Sequence, residues 1–436
     1  MTTYRRHERV EFESSLITGR AGCAVATRRV VFIGAAGEMC RVAVEALAKA
    51  PTDLNFVLSD IRPEQVEPLA RKLDGRATAQ QLDLYDADAL RATIAGASLV
   101  ILGAGPYVRT SAPVIEACLE LKIPYLDYDD DVESTEHALS LAGRAKEAGI
   151  PIYVGCGASP GMSNVMAVDA ADDLDTVERI DLCWLVGEER PNVGRAVLEH
   201  MLSISAGDCE TWDHGARTVH ESFLPAGTFP ILADQEEVLL YETAHPEPVT
   251  LPRKYFQASR IRCVGGLDPA PMNGLFRGVA LAIQNGEISM QDGVDFVFSV
   301  ATGGLGSVAG WKHALNGMRA QIRRSEISRG EMLKFFVLSA ARRRYPYRGG
   351  LLVQVHGLRD GKPAVSSRRT RMADGNVMNN MGGMTGTPCA AFALLALDDA
   401  EQRSGAFAPE DWADPKKFYD ALEAVGVPRD QIVEAL

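Results

Sequence analysis

The sequence has no run of about 18 or more apolar residues, so no membrane-spanning helix is expected. The nearest candidate, Phe296 to Trp311, is interrupted by Gly303, Gly304, Gly306 and Gly310. Positive charge is also short: 45 Lys and Arg stand against 58 Asp and Glu, a formal net charge of −13, and the pI is about 5.2. A nucleic-acid binder needs a basic face, so that class is excluded. None of the 8 cysteines forms a Cys-x-x-Cys pair. No continuous apolar segment follows the opening Met1-Thr2-Thr3-Tyr4-Arg5-Arg6, so no secretory signal is expected, and residues 1–28 read as a polar extension. Scattered cysteines in such a chain point to buried thiols and a reducing, cytoplasmic location. His200, Cys209, His214 and His220 offer the residue types of a zinc site but match no common zinc spacing, and no metal is expected.

What is present is the profile of an ordinary globular protein, with 46% hydrophobic and 24% charged residues. A length of 436 residues suits two or three domains. Glycine is in surplus, at 40 residues of 436 against a usual ~7%. Much of it falls in an alternation of strands and helices. Arg29-Val30-Val31-Phe32-Ile33 reads as a strand, Gly34-Ala35-Ala36-Gly37 as a turn, and Val42, Val44, Ala46 and Leu47 as a helical stripe. Further strands are expected at Asn55 to Ser59, Ala79 to Leu84, Ala97 to Leu102, Pro124 to Asp127 and Ile150 to Val154, with Asp86 capping a helix. Strands alternating with helices imply right-handed crossovers and a Rossmann-type, doubly wound parallel sheet.

Ligands bind such sheets beyond the carboxyl ends of the strands. The loop after the first strand is therefore the expected pyrophosphate site. Gly34 permits the tight turn, and Gly37 lets backbone approach the phosphates at a helix N-terminus, where Ala36, Glu38 and Met39 would flank them. The third glycine of G-x-G-x-x-G is absent; Cys40 stands in its place. Asp60 lies 23 residues past Gly37, where a carboxylate accepts from the ribose hydroxyls of NAD and repels a 2′-phosphate. Arg62 can stack on adenine or hold a 2′-phosphate, so NAD is favoured while NADP stays open. A plain helix cap before Pro63 is the structural alternative for Asp60. Ile61, Asp83 and Leu84 complete this rim. Gly103-Ala104-Gly105-Pro106-Tyr107 follows the fourth strand and would pass the second half of the cofactor, with Tyr107 near the nicotinamide.

The chain from about residue 29 resembles the saccharopine dehydrogenase-like family. The resemblance rests on Val31 to Gly37, on Gly105-Pro106-Tyr107, on Gly155-Cys156-Gly157-Ala158-Ser159-Pro160-Gly161-Met162-Ser163-Asn164, and on Met384-Thr385-Gly386-Thr387-Pro388-Cys389-Ala390-Ala391 with Gly405 to Glu410 beyond it. It is weakest over about 185–345. The resemblance implies an α/β protein with a dinucleotide-binding domain over 29–157. An α+β substrate and dimerisation domain with a mixed sheet would follow over 158–385, and a C-terminal helical segment over 386–436 would pack back on the first domain. It also implies a hydride exchanged between nicotinamide and the carbon of a C–N bond, Ser159 and Pro160 near the cofactor, Ser163, Asn164 and Asn379 near an amine or amino-acid substrate, and a homodimer.

Other residues bear on the chemistry directly. Leu126-Asp127-Tyr128-Asp129-Asp130-Asp131 ends the fifth strand, and a carboxylate there, Asp129 foremost, can take a proton from an amine. His245 suits acid–base work near neutral pH, and Arg253 can clamp a carboxylate through its planar fork. Each has a structural alternative. Gly303 to Ser307 lacks a following acidic ribose residue and reads as a flexible loop. Arg342-Arg343-Arg344 reads as a helix end. Thr387-Pro388 reads as the N-cap and first residue of an apolar, buried helix, with Met378 to Met384 as a loop before it. Leu351 to Gly357, the Asp360-Gly361 turn and Ala364 to Ser366 read as a hairpin with a face free for dimerisation. C=C or C=O reduction on the same scaffold, or non-catalytic dinucleotide binding, are the competing functions.

Overall fold

The structure is a computed structural model and describes residues 28–187, 194–234, 237–341, 343, 348–371, 376–399 and 403–436. The expected N-terminal extension therefore lies outside the described residues save Arg28, which begins the first strand, and so do Arg342 and Arg344 of the basic run.

Six parallel strands follow one another: β1 (Arg28–Ile33), β2 (Leu54–Asp60), β3 (Ala77–Gln81), β4 (Leu99–Leu102), β5 (Tyr125–Asp127) and β6 (Pro151–Tyr153). Helices on both faces explain why β1 and β4 read as continuous apolar runs rather than alternating ones: Val30, Val31 and Phe32, and Leu99 to Leu102, are fully buried. β3 ends at Gln81, short of the expected Leu84. Its Ala-Thr-Ala-Gln-Gln sequence is polar and half exposed, as an edge strand tolerates. Asp86 caps the next helix as expected, accepting from the Asp88 and Ala89 amides at 3.1 Å each.

The second sheet is mixed. It contains β7 (Thr176–Val186), β8 (Asp208–Asp213), β9 (Ala216–Glu221), β10 (Pro225–Phe229), β11 (Val238–Glu242), β12 (Arg260–Leu267), β13 (Gly350–Arg359) and β14 (Lys362–Thr370). β7 runs parallel to β12 and antiparallel to β13. The β13–β14 hairpin turns at Asp360 and Gly361, which take φ of 52° and 71° as a two-residue hairpin requires.

The C-terminal segment corrects two expectations. It is not purely helical: β15 (Gly405–Phe407) adds to β6 as a seventh parallel strand, and β16 (Val433–Ala435) pairs with β14 as the ninth strand of the second sheet. The apolar helix also does not begin at Thr387-Pro388. It runs Met381–Asp399, with Pro388 inside it. The glycine-rich stretch that reads locally as a loop is helical because it packs backbone-close on the helix Glu38–Leu47: a Cβ at Gly386 would collide with the Met39 carbonyl oxygen. Tertiary contact thus outweighs the poor helix propensity of Gly and Pro.

Candidate active site

The resulting crevice lies beyond the carboxyl ends of β1, β4 and β5. It encloses about 340 Å³, within the range of ligand sites. One wall is the turn after β1. Gly34 takes φ +83°, and a Cβ there would lie 2.8 Å from Ala104. Its loop is braced from within: the Gly34 and Ala35 amides donate to the Ser59 carbonyl at 2.9 and 3.0 Å, and the Ala36 amide to Asp60 Oδ2 at 3.0 Å. Gly37 is then the N-cap of Glu38–Leu47 with no side chain covering the helix start. The first-turn amides are left for an anion, as the sequence requires of a pyrophosphate site. Cys40 is accommodated without the third glycine because Gly103 leaves room above it: a Cβ at Gly103 would collide with Cys40 Sγ and the Tyr128 hydroxyl.

Asp60 is buried, and its other oxygen accepts the Arg62 amide at 3.0 Å. It caps no helix; Arg62 precedes the short turn at Pro63. The carboxylate therefore braces the phosphate loop at the end of β2 and keeps lone pairs for a ribose. Arg62 lines the crevice, its guanidinium Nε 3.7 Å from Asp60. Of the other residues expected at the cofactor, Ala36, Gly37, Glu38 and Met39 line the crevice, as do Gly103, Gly105, Pro106, Tyr107, Ser159 and Pro160. Gly34, Asp60, Ala104, Ile61, Asp83 and Leu84 do not line it. Asp83 instead accepts the Tyr85 amide at 3.0 Å. These residues fit a dinucleotide: an uncovered helix start, a carboxylate at the end of β2 and small residues along the floor.

The residues expected to act on substrate divide sharply. Tyr107 lines the crevice with its ring, but its hydroxyl turns toward the Leu102 carbonyl at 3.5 Å, and burial followed by the nearby Tyr128 holds its pKa well above the usual phenol value. Asp129 is fully buried and away from the lining. Its carboxylate accepts the Asp131 amide at 2.8 Å, and burial and then the neighbouring Asp127 push its pKa well up. Arg253 pairs with Asp411 on the far C-terminal segment. Ser163 and Asn164 are buried in the scaffold: Ser163 donates to Glu247 at 3.1 Å, and Asn164 to Glu410 at 2.8 Å. Asn379 sits in a turn whose amide donates to the Asn376 carbonyl. Only His245 of this group reaches the substrate end, lining a smaller chamber that continues the crevice inward.

Three residues that spacing did not single out for acid–base work join it. Asp130 and Asp131, next along from Asp129, line the crevice, and His200 faces both. Its Nδ1 is 3.2 Å from Asp131 and its Nε2 3.4 Å from Asp130. The helix Arg195–Ile204 carries Val197, His200 and Met201 on one stripe toward this space. The His200 and His245 rings stand edge to face at 5.6 Å. Glu247 is the last member. Fully buried, it lies 3.6 Å from His245 Nδ1 and accepts from the Ser159 and Ser163 hydroxyls. Burial would raise its pKa, but the adjacent His245 and the Ser159 hydroxyl bring it below the usual value, so it stays ionised. His200, Cys209, His214 and His220 do not converge: His220 pairs with Glu242 at 3.1 Å, and Cys209 is buried in β8.

Burial alone would lower the His200 pKa, but the two carboxylates outweigh it and raise it to about 9. A histidine raised from 6.5 contributes stability that is complete below pH 6.5 and lost as pH rises through about 9. His200→Gln should therefore be destabilised relative to wild type by about 3 kcal/mol at pH 6, with the gap closing by pH 9.5. Urea unfolding at the two pH values checks this; a gap that widens with pH would overturn the ion-pair reading.

Residues 30–152 match the family model described as the saccharopine dehydrogenase NADP binding domain. That part of the chain is similar to the saccharopine dehydrogenase NADP binding domain. NAD(P) is accordingly the cofactor that residues 30–152 are built to hold. The fold agrees over nearly the whole length with the apo saccharopine dehydrogenase (L-Glu forming) of Saccharomyces cerevisiae: 14% identity, TM-score 0.60, 94% of this chain and 99% of the other. GenD2 from gentamicin A biosynthesis, solved with NAD, aligns more loosely at 14% identity and TM-score 0.40, over 94% and 95% of the two chains. A myo-inositol dehydrogenase from Corynebacterium glutamicum aligns at 11% identity and TM-score 0.41, over 94% and 99%.

Proposed function

We propose that this saccharopine dehydrogenase-like chain oxidises or forms the C–N bond of an amine or amino acid with NAD(P). The cofactor would sit over residues 29–157 and the substrate over 158–385. The observation that carries the reading is the cluster at the inner end of the crevice: Asp130, Asp131 and His200 on one side, His245 backed by Glu247 on the other. When bound, the nicotinamide supplies the hydride acceptor or donor. Everything else falls to side chains. Ala36 to Met39 hold the pyrophosphate at the helix start, Asp60 and Arg62 the adenosine ribose, and Tyr107 packs beside the nicotinamide end.

Asp130 and Asp131 give that end a negative field that attracts an ammonium. Amine oxidation needs the ammonium deprotonated first. His200, already charged at neutral pH, is a poor acceptor; His245, held by the ionised Glu247, takes the proton. In the opposite direction the same imidazole returns it. A homodimer through the β13–β14 hairpin belongs to the same proposal.

The test is direct. The protein is incubated with NAD+ or NADP+ and a panel of amines and amino acids, and the absorbance of reduced nicotinamide is followed. Turnover of amines supports the assignment. Turnover confined to alcohols or to reduction of enones sinks it, and tight cofactor binding without turnover of any class favours a sensing or assembly role.

A further inference from the structure

Behind His245 the crevice does not end. The chamber that His245 and His200 face encloses about 110 Å³ and is walled by Trp184, Leu185, Val186, Met201, Leu351 and Met384. It adjoins a second space of about 80 Å³ through Val186, Val197, Met201 and Met381, which line both. That second space lies among the helices Arg195–Ile204, Pro271–Gln284 and Met290–Ala301, against Met272, Leu275, Phe276, Val297 and Val300. Among the described residues no Lys or Arg lines either space, and the one acidic group of the second, Asp268, lies 3.9 Å from Arg348. Apart from Asp268, the charged groups are thus gathered on the crevice side, and the remaining described walls of both spaces are mostly apolar.

This arrangement sorts a substrate by its two ends. A cationic nitrogen belongs at Asp130 and Asp131. A second carboxylate reaching past His200 into the second space would find no Lys or Arg among its described walls, which is costly. An alkyl or aryl group would instead displace poorly held water. A dry apolar cavity of about 150 Å³ takes up a benzene ring, and the two spaces are together of that order. The methionines at the junction can repack around differing shapes.

We infer that the substrate is an amine whose nitrogen-bearing carbon carries an apolar arm of roughly five to seven carbons, lodged in these two spaces. The inference rests on the amine reading above. The experiment therefore has one arm that depends on that reading and one that does not.

In the first arm, kcat/KM is measured with NAD(P)+ for n-butylamine, n-hexylamine, n-octylamine and L-lysine. About a tenfold gain from butyl to hexyl is expected, with lysine below hexylamine. Ala301→Phe, which fills the far space from the end of Met290–Ala301, should bring the hexyl-to-butyl ratio close to one; Val297→Phe serves if that variant does not fold. Equal kcat/KM along the wild-type series, a ratio unchanged in the variant, or lysine as the best substrate overturns the inference. In the second arm, thermal unfolding is followed with 1-butanol and 1-hexanol, which need no chemistry. Greater stabilisation by hexanol in wild type, lost in the variant, supports the apolar arm even if no amine turns over. No difference between the two alcohols overturns it.

Discussion

Gly37→Val should lose at least about 100-fold in affinity for NAD(P)H, a loss of roughly 3 kcal/mol, while keeping its fold. The two halves of that expectation have separate grounds. Gly37 has φ −63° and ψ 143°, which any residue adopts, so valine meets no backbone penalty. A Cβ there lies 3.2 Å from the Gly34 carbonyl oxygen, tight but relieved by a small shift. The γ-methyls, however, project over the uncovered start of Glu38–Leu47, where the first-turn amides must reach an anion at hydrogen-bond distance. Gly37→Ala should show a smaller loss. Titration of NADH and NADPH fluorescence, with far-UV circular dichroism as the check on folding, reads both. Wild-type affinity in a folded Gly37→Val protein would remove the pyrophosphate from this loop.

Why that loop could be read from residues alone, while the chemistry beyond it could not, follows from how each is encoded. The phosphate loop and Asp60 belong to one β-turn-helix-β unit, so their spacing along the chain mirrors their placement in space. The buried parallel strands are equally legible, because two covered faces demand apolar runs. β15 (Gly-Ala-Phe) and β16 (Val-Glu-Ala) are as short as β5 and β6 but lie outside the strand–helix alternation that announces those two. Met381 to Thr387 carries local signals for a loop and is helical only because a neighbouring helix approaches it. His200 is the clearest case. It meets Asp130 and Asp131 across about seventy residues of chain, and nothing in the intervening sequence announces that meeting. What signal existed was the acidic run after β5. It pointed to the right loop but to Asp129, the member whose carboxylate turns inward to brace the Asp131 amide. Likewise Ser163 and Asn164 mark a distinctive motif, yet their side chains hold Glu247 and Glu410 in place rather than line the crevice.

The same division of labour sets the largest expected loss of activity. His245→Asn should lower kcat by roughly 10²–10⁴-fold, the usual contribution of a positioned acid–base group, and leave the Kd for NAD(P)H within about twofold, because His245 lines the inner chamber and not the dinucleotide crevice. Glu247→Gln should be milder, about tenfold, since the amide keeps the size of the group and can still engage the Ser159 and Ser163 hydroxyls while losing the charge that orients the imidazole. His200→Asn separates the roles. With His200 cationic up to about pH 9, its loss should raise KM or shift the pH profile through the altered Asp130 and Asp131 more than it lowers kcat at pH 7. Steady-state kinetics of the three variants against pH, on whichever amine turns over, tests the assignment. If His200→Asn abolishes kcat while His245→Asn retains it, the proton passes through the Asp130–His200 side of the cluster, and Glu247 is left as part of the scaffold that holds the turn at Ser159.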